Sequence, residues 1–104
     1  MLTLYLSTLE ADNDRNIFAA LYKKYENMMY HIAYGILRDR YLAEDAVHDA
    51  FLKIIKYIPS ISEVNCHKTR TLIVIIIKST AIDIYRGRSR QCFLDEEALA
   101  DEID

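Results

Sequence analysis

The chain has 104 residues, half of them apolar, with two glycines and one proline, so it makes one ordered domain with one modest core. Its net charge of −3 hides a division. Residues 91–104 hold six acids (Asp95, Glu96, Glu97, Asp101, Glu102, Asp104) and no base, leaving 13 basic against 10 acidic groups in residues 1–90. The longest apolar run is six residues, far below the roughly 18 of a membrane span, and the start carries no basic leader, which predicts a soluble cytoplasmic chain with no membrane partner.

In chain order, Met1–Leu9 alternates apolar and polar residues and reads equally well as a short helix or a strand. Asp12-Asn13-Asp14 then offers capping side chains and negative charge for a helix start. From Ile17 the apolar positions recur at helical spacing: Phe18, Leu21, Tyr25, Met28, Met29, Ile32, Ile36. One long amphipathic helix ending near Leu37–Arg38 is predicted, with His31 packed or solvated between the stripe positions.

Asp39 is a plausible N-cap for a second helix through Ile58, closed by Pro59. Its apolar face is Leu42, Ala43, Ala46, Val47, Ala50, Phe51, Ile54, Ile55 and Ile58. Its other face carries Glu44, Asp45, His48 and Asp49 early and Lys53 and Lys56 late, a charge order that suits the helix dipole. That face is either solvated or a contact surface.

Pro59–Lys68 reads as a loop, with Ser60, Ser62 and Asn65 as turn formers. Leu72–Ile77 (LIVIII) taken alone suggests a strand, since it is rich in β-branched residues. The positions beyond it, Thr80/Ala81 and Ile84/Tyr85, continue a helical period, and no second strong strand is available for pairing. We therefore expect a helix from Thr69 to about Arg88, central and buried at first, ended by Gly87. Phe93–Asp104 is a short helix or a linker. The fold class is all-α, a bundle of three main helices with short terminal segments.

Thr69–Arg90 holds Arg70, Lys78, Arg86, Arg88 and Arg90 against Asp83 alone, so an apolar stem leads into clustered basic charge, one way a small domain presents charge to nucleic acid. Catalysis is disfavoured. Asp45 with Asp49, and Glu44 with His48, are i, i+4 pairs, but no further ligand cluster, Gly-rich phosphate loop or nucleophile motif completes a site. Cys66 and Cys92 make no metal-ligand spacing, and Cys66-His67 is a poor pair, so both cysteines are expected as free thiols and no metal or cofactor is expected. Most of the eight tyrosines fall on helix stripes, as core or rim.

Three motifs, the upstream one made of two strings, carry a family resemblance in order and at matching spacing. Ala43-Glu44-Asp45-Ala46-Val47-His48-Asp49-Ala50-Phe51-Leu52-Lys53 resembles the segment of bacterial sigma-70 family factors, extracytoplasmic-function group, in which Ala-Glu-Asp precedes Gln, an acid, Phe and a base. Ile76-Ile77-Lys78-Ser79-Thr80-Ala81-Ile82-Asp83-Ile84-Tyr85-Arg86 is similar to that family's second signature. Phe18-Ala19-Ala20-Leu21-Tyr22 and Ala33-Tyr34-Gly35-Ile36-Leu37 fit its upstream pattern. His48 stands where the family has Gln, Leu72 where Trp is frequent, Ile75 where a base is common and Ser79 where Asn is frequent.

The resemblance, from about Asn16 to Arg90, implies the helical sigma-2 domain over residues 1–90. Residues 91–104 would then begin an interdomain linker, before a −35-reading domain in a longer protein. It implies that Glu44, Asp45, His48, Asp49, Leu52, Lys53 and Lys56 dock on the β′ clamp helices of RNA polymerase core. It further implies that Asn65, His67, Lys68, Thr69, Arg70, Lys78, Ser79, Asp83 and Arg86 meet the single-stranded non-template strand of the promoter −10 element. One base would be flipped into a pocket under the loop, and Arg88 and Arg90 would hold backbone phosphates. An anti-sigma protein is a further possible partner in such a family. Two other functions compete: a helical protein-interaction module without DNA, and a helix-turn-helix repressor. Pro59–Lys68 is too long a turn for the latter, and the helix after it too apolar at its start.

Overall fold

The computed structural model describes residues 2–7, 9 and 11–103, and for Leu4 and residues 89–103 the backbone alone. Four helices follow one another: α1 (Leu2–Ser7), α2 (Asp12–Leu37), α3 (Arg40–Ile55) and α4 (His67–Ile103), with a 3-10 turn at Ile58–Ser60 between α3 and α4. α2, α3 and α4 pack against one another as the body, and α1 lies across α2 and α3. The ambiguous N-terminal stretch is thus helical over Leu2–Ser7, and Leu72–Ile77 is helical as expected.

The core is built from one stripe of each long helix. Phe18, Leu21, Tyr25, Met29, Ala33 and Leu37 come from α2; Ala43, Ala46, Ala50, Phe51 and Ile54 from α3; Ile73, Ile76, Ile77 and Ala81 from α4. The five alanines are fully buried, and side chains this small let helix axes approach closely. Larger residues fill what remains: Phe18 and Phe51 meet edge to face at 5.6 Å, and Tyr5 from α1 lies 5.3 Å from Phe18.

Arg38 and Asp39 alone join α2 to α3, which forces the two helices into an antiparallel hairpin. Arg38 takes the left-handed conformation (φ 54°, ψ 27°), and its N–H donates to Tyr34 O at 2.8 Å to close α2. Asp39 caps α3 as expected, its Oδ1 accepting from Leu42 N–H at 3.0 Å.

Four boundaries differ from expectation. Asp12 and Asp14 lie inside the first turn of α2, where they favour the positive end of the dipole, while the N-cap is Ala11 with no side-chain bond. α3 stops at Ile55, not Ile58. Proline disfavours α geometry at the residue before it, and the chain tightens ahead of Pro59 through Lys56 N–H to Lys53 O and Tyr57 N–H to Ile54 O. The expected loop shortens to residues 61–66, because a 3-10 turn takes its start and α4 begins at His67. Gly87 does not end α4, which continues past Arg88 to Ile103. Glycine costs only about 1 kcal/mol within a helix, too little to stop one by itself. The LIVIII run is also not wholly buried. Ile75 is 60% exposed, since a helix face points away from the bundle even in an apolar run.

Candidate binding faces

Two surfaces gather the residues singled out above. On α3 and its C-cap, the outward positions present Glu44, Asp45, Asp49, Leu52, Lys53 and, at the cap, Lys56, all exposed. Glu44 pairs with Arg40 one turn earlier at 3.6 Å, a solvent-screened contact worth little. Lys53 Nζ reaches across to α4 and donates to Thr80 Oγ1 at 2.9 Å, so one end of this face is tied to the core helix. His48 differs from expectation. It is half-buried, its Nδ1 shares a 2.6 Å hydrogen bond with the Tyr5 hydroxyl, and the two rings lie 5.5 Å apart.

Burial, then the negative charge of Tyr22, Asp49 and Glu26, pushes the Tyr5 phenol up to about 12. Burial and Glu26 likewise raise Tyr22, whose hydroxyl donates to Glu26 Oε1 at 3.3 Å. Around these groups a groove of ≈ 410 Å³ opens between α2 and α3, lined by Tyr5, Tyr22, Glu26, Tyr30, Glu44 and Phe51 among others. Sequence reasoning gave no binding role to Tyr5, Tyr22, Glu26 and Tyr30, because only packing brings the two helices' outer edges together here.

The second surface joins the 61–66 loop to α4. Three contacts fix the loop. The Tyr25 hydroxyl donates to Val64 O at 2.8 Å, Lys24 Nζ donates to Asn65 Oδ1, and the Thr69 hydroxyl donates to Glu63 O. Lys24 and Tyr25 lie some forty positions upstream of the loop they hold, and no local pattern announces them. Thr69, expected on the DNA surface, is buried at 4% exposure, because its hydroxyl is spent on the loop backbone. Cys66 is free and half-buried. Its Sγ lies 3.3 Å from Thr69 Oγ1, and the hydrogen bond between them, with those from the Thr69 and Lys68 amides, holds the thiol below the usual range. Cys92 lies outside the residues whose side chains are described.

Under this loop lies a groove of ≈ 410 Å³, lined by Tyr57, Ile61, Ser62, Cys66, Lys68 and Ile75 among others. Tyr57 and Ile75 stand 47% and 60% exposed at its walls, and Lys68 is exposed at its edge. From Ile75 the outer face of α4 continues through Lys78, Ser79, Ile82, Asp83 and Arg86, all exposed and at helical spacing. Ser79 returns its hydroxyl to Ile76 O at 3.1 Å. His67 and Arg70 are exposed in the first turn, with His67 Nε2 3.4 Å from Thr71 Oγ1. Arg88 is exposed but meets Asp39 Oδ2 at 3.5 Å, which also helps hold that carboxyl below its ordinary value, after the hydrogen bond from Leu42 N–H. Arg90 lies outside the residues whose side chains are described.

The arrangement offers an aromatic and aliphatic slot beside amide, hydroxyl and thiol groups, continued by a row bearing cations. That combination stacks a flat ring and holds an anionic backbone. Among the described residues no cluster of three metal-ligating side chains occurs, and no helix is long and apolar enough to cross a membrane.

Residues 21–91 match the model of the family described as Sigma-70 region 2. No curated protein and no solved structure matches the chain.

Proposed function

The chain belongs to the sigma-70 region 2 family, which binds core RNA polymerase and recognises the promoter −10 element, and we propose which surface performs each task. It is a non-enzymatic factor domain of transcription initiation. Within the family we place it in the extracytoplasmic-function group, on the three motifs around Phe18, Ala43 and Ile76, and it works in the cytoplasm with polymerase. Residues 1–90 form the binding domain, and the acidic stretch from residue 91 begins a linker.

Glu44, Asp45, Asp49, Leu52, Lys53 and Lys56 dock on the β′ clamp helices, with His48 acting from the edge of this face through its bond to Tyr5. Mixed charge around one exposed leucine supports this role, since it suits a specific protein contact that salt weakens. The opened −10 element lies along the loop and the outer face of α4. One non-template base enters the groove beneath the loop, between Tyr57 and Ile75. Asn65, His67, Lys68 and Arg70 lie nearest to it in the chain, Thr69 supports the loop from within, and Lys78, Ser79, Asp83 and Arg86 run on beneath the strand. Arg88 and Arg90 hold backbone phosphates farther along.

The observation that carries this assignment is the groove itself, apolar-walled, open, and continuous in sequence with the cation-bearing face of α4. Bases in opened DNA expose π-faces for stacking, and lysine and arginine neutralise the phosphates.

Two measurements test it. Capture of polymerase core should fall at least tenfold with Asp45→Ala and Asp49→Ala together; unchanged capture would move docking off α3. Binding of a single-stranded −10 oligonucleotide, measured with core present, should lose about one unit of salt slope with each of Lys78→Ala and Arg86→Ala. A helical interaction module without DNA contact predicts no oligonucleotide binding at all.

A further inference from the structure

We propose that the groove between α2 and α3 seats an arginine side chain of the polymerase surface that docks on α3; this rests on the docking role assigned above. Its accessible rings are those of Tyr22 and Tyr30, both half-buried, and they stand over a buried aromatic floor: Phe51 lies 4.9 Å from Tyr22 at 31°, and Tyr5 6.2 Å from Tyr22. Among the described residues, every lining side chain with full charge at neutral pH is an acid, Glu26 and Glu44, and no lysine or arginine lines the groove.

Both acids have capacity to spare. Glu26 is half-buried, and the only hydrogen bond to it among the described residues is the long one from Tyr22. Among the described residues Glu44 has only its exposed contact with Arg40. The negative field reaches deeper, since Asp49 and Glu26 both help push the Tyr5 phenol upward.

Aromatic faces with carboxylates at the opening select a flat, delocalised cation, which stacks on rings while its N–H fork meets oxygen pairs. A phosphate is repelled from the same place, so nucleic acid is the wrong occupant. A lysine ammonium would satisfy the charge but is more strongly hydrated and lacks the planar fork. The groove adjoins the exposed α3 face through Glu44 and His48, so one docked helix can cover that face and place a long cationic side chain between α2 and α3.

The test titrates polymerase core against the fluorescently labelled full chain at two salt concentrations. Glu26→Gln keeps the shape of the wall and removes its charge; it should weaken core binding about tenfold at low salt and less at high salt. Tyr30→Ala, which removes one wall, should weaken it severalfold. Asp12→Asn, a charge loss at the start of α2, should leave it unchanged, and thermal unfolding confirms that each variant is folded. In parallel, N-acetyl-arginine amide should shift the NMR signals of Tyr22 and Phe51 in the wild type and not in Glu26→Gln. If wild type binds core and Glu26→Gln binds equally well, the groove assignment is overturned and docking on α3 stands. If wild type does not bind core, the docking role falls first and takes the assigned partner with it.

Discussion

Thr69 shows how one hydroxyl can serve a binding surface without belonging to it. It is buried, and its bond to Glu63 O ties the loop that carries Asn65 to the first turn of α4, where Lys68 lies. Thr69→Val preserves volume and branching but leaves Glu63 O without that donor, a loss of about 1 kcal/mol of stability. We expect weakened −10 oligonucleotide binding in Thr69→Val, with recovery in Thr69→Ser; equal binding by all three would show that the loop needs no such anchor. Tyr5 offers a second residue-level measurement. Its folded phenol titrates near 12, above the ordinary value of 10.0, so the fold favours the neutral ring. The stability this provides is complete below pH 10 and is lost as pH rises towards 12. Alkaline unfolding followed by circular dichroism should show that loss in wild type and a flatter profile in Tyr5→Phe.

At the level of elements, the α2–α3 hairpin is the most tightly specified part of the chain. Two residues make the whole connection, and one of them, Arg38, sits in a left-handed conformation that a side chain other than glycine's makes unfavourable. Arg38→Gly removes that strain while loosening the unfolded chain, for a net gain of about 0.5–1 kcal/mol in denaturant unfolding. A loss would mean that the arginine side chain contributes more at the C-terminus of α2 than its backbone costs. α4 divides differently. Its first turns are anchored by Ile73, Ile76 and Ile77, while Ile75, Lys78, Ile82 and Arg86 share the opposite side, so a single helix is both core and contact surface.

For the molecule as a whole, both faces depend on one core. Phe18 is fully buried where α1, α2 and α3 meet, and Phe18→Ala should cost about 3–5 kcal/mol. Against a total stability of about 5–15 kcal/mol, that loss should lower the thermal transition sharply, and polymerase and oligonucleotide binding should be lost together over the same, lower temperature range. Surface variants on α3 and α4 should instead remove one activity each and leave the transition in place. A Phe18→Ala chain that lost one binding on warming while keeping the other past its thermal transition would show that the two surfaces are not carried by a common core.

The helices were legible in the order of residues because burying one side of a helix imposes a period, and the stripes of α2, α3 and α4 keep it. Asp39 was legible as a cap because its capping bond spans only three residues. The three motifs were equally plain, and the family they resemble is the family whose model the chain matches. Helix ends were less so. A proline's clash propagates backwards by an amount set by packing, and a glycine too weak to stop a helix looks the same as one that does. Long-range geometry decided the rest. That Thr69 turns inward, that Lys24 and Tyr25 hold a loop forty residues away, and that His48 leans on Tyr5 are contacts between segments distant in sequence. Period and propensity act along the chain within a few residues, so they set which side of each helix is buried. Which neighbour a polar side chain then meets depends on how the helices cross, and only the packed structure fixes that.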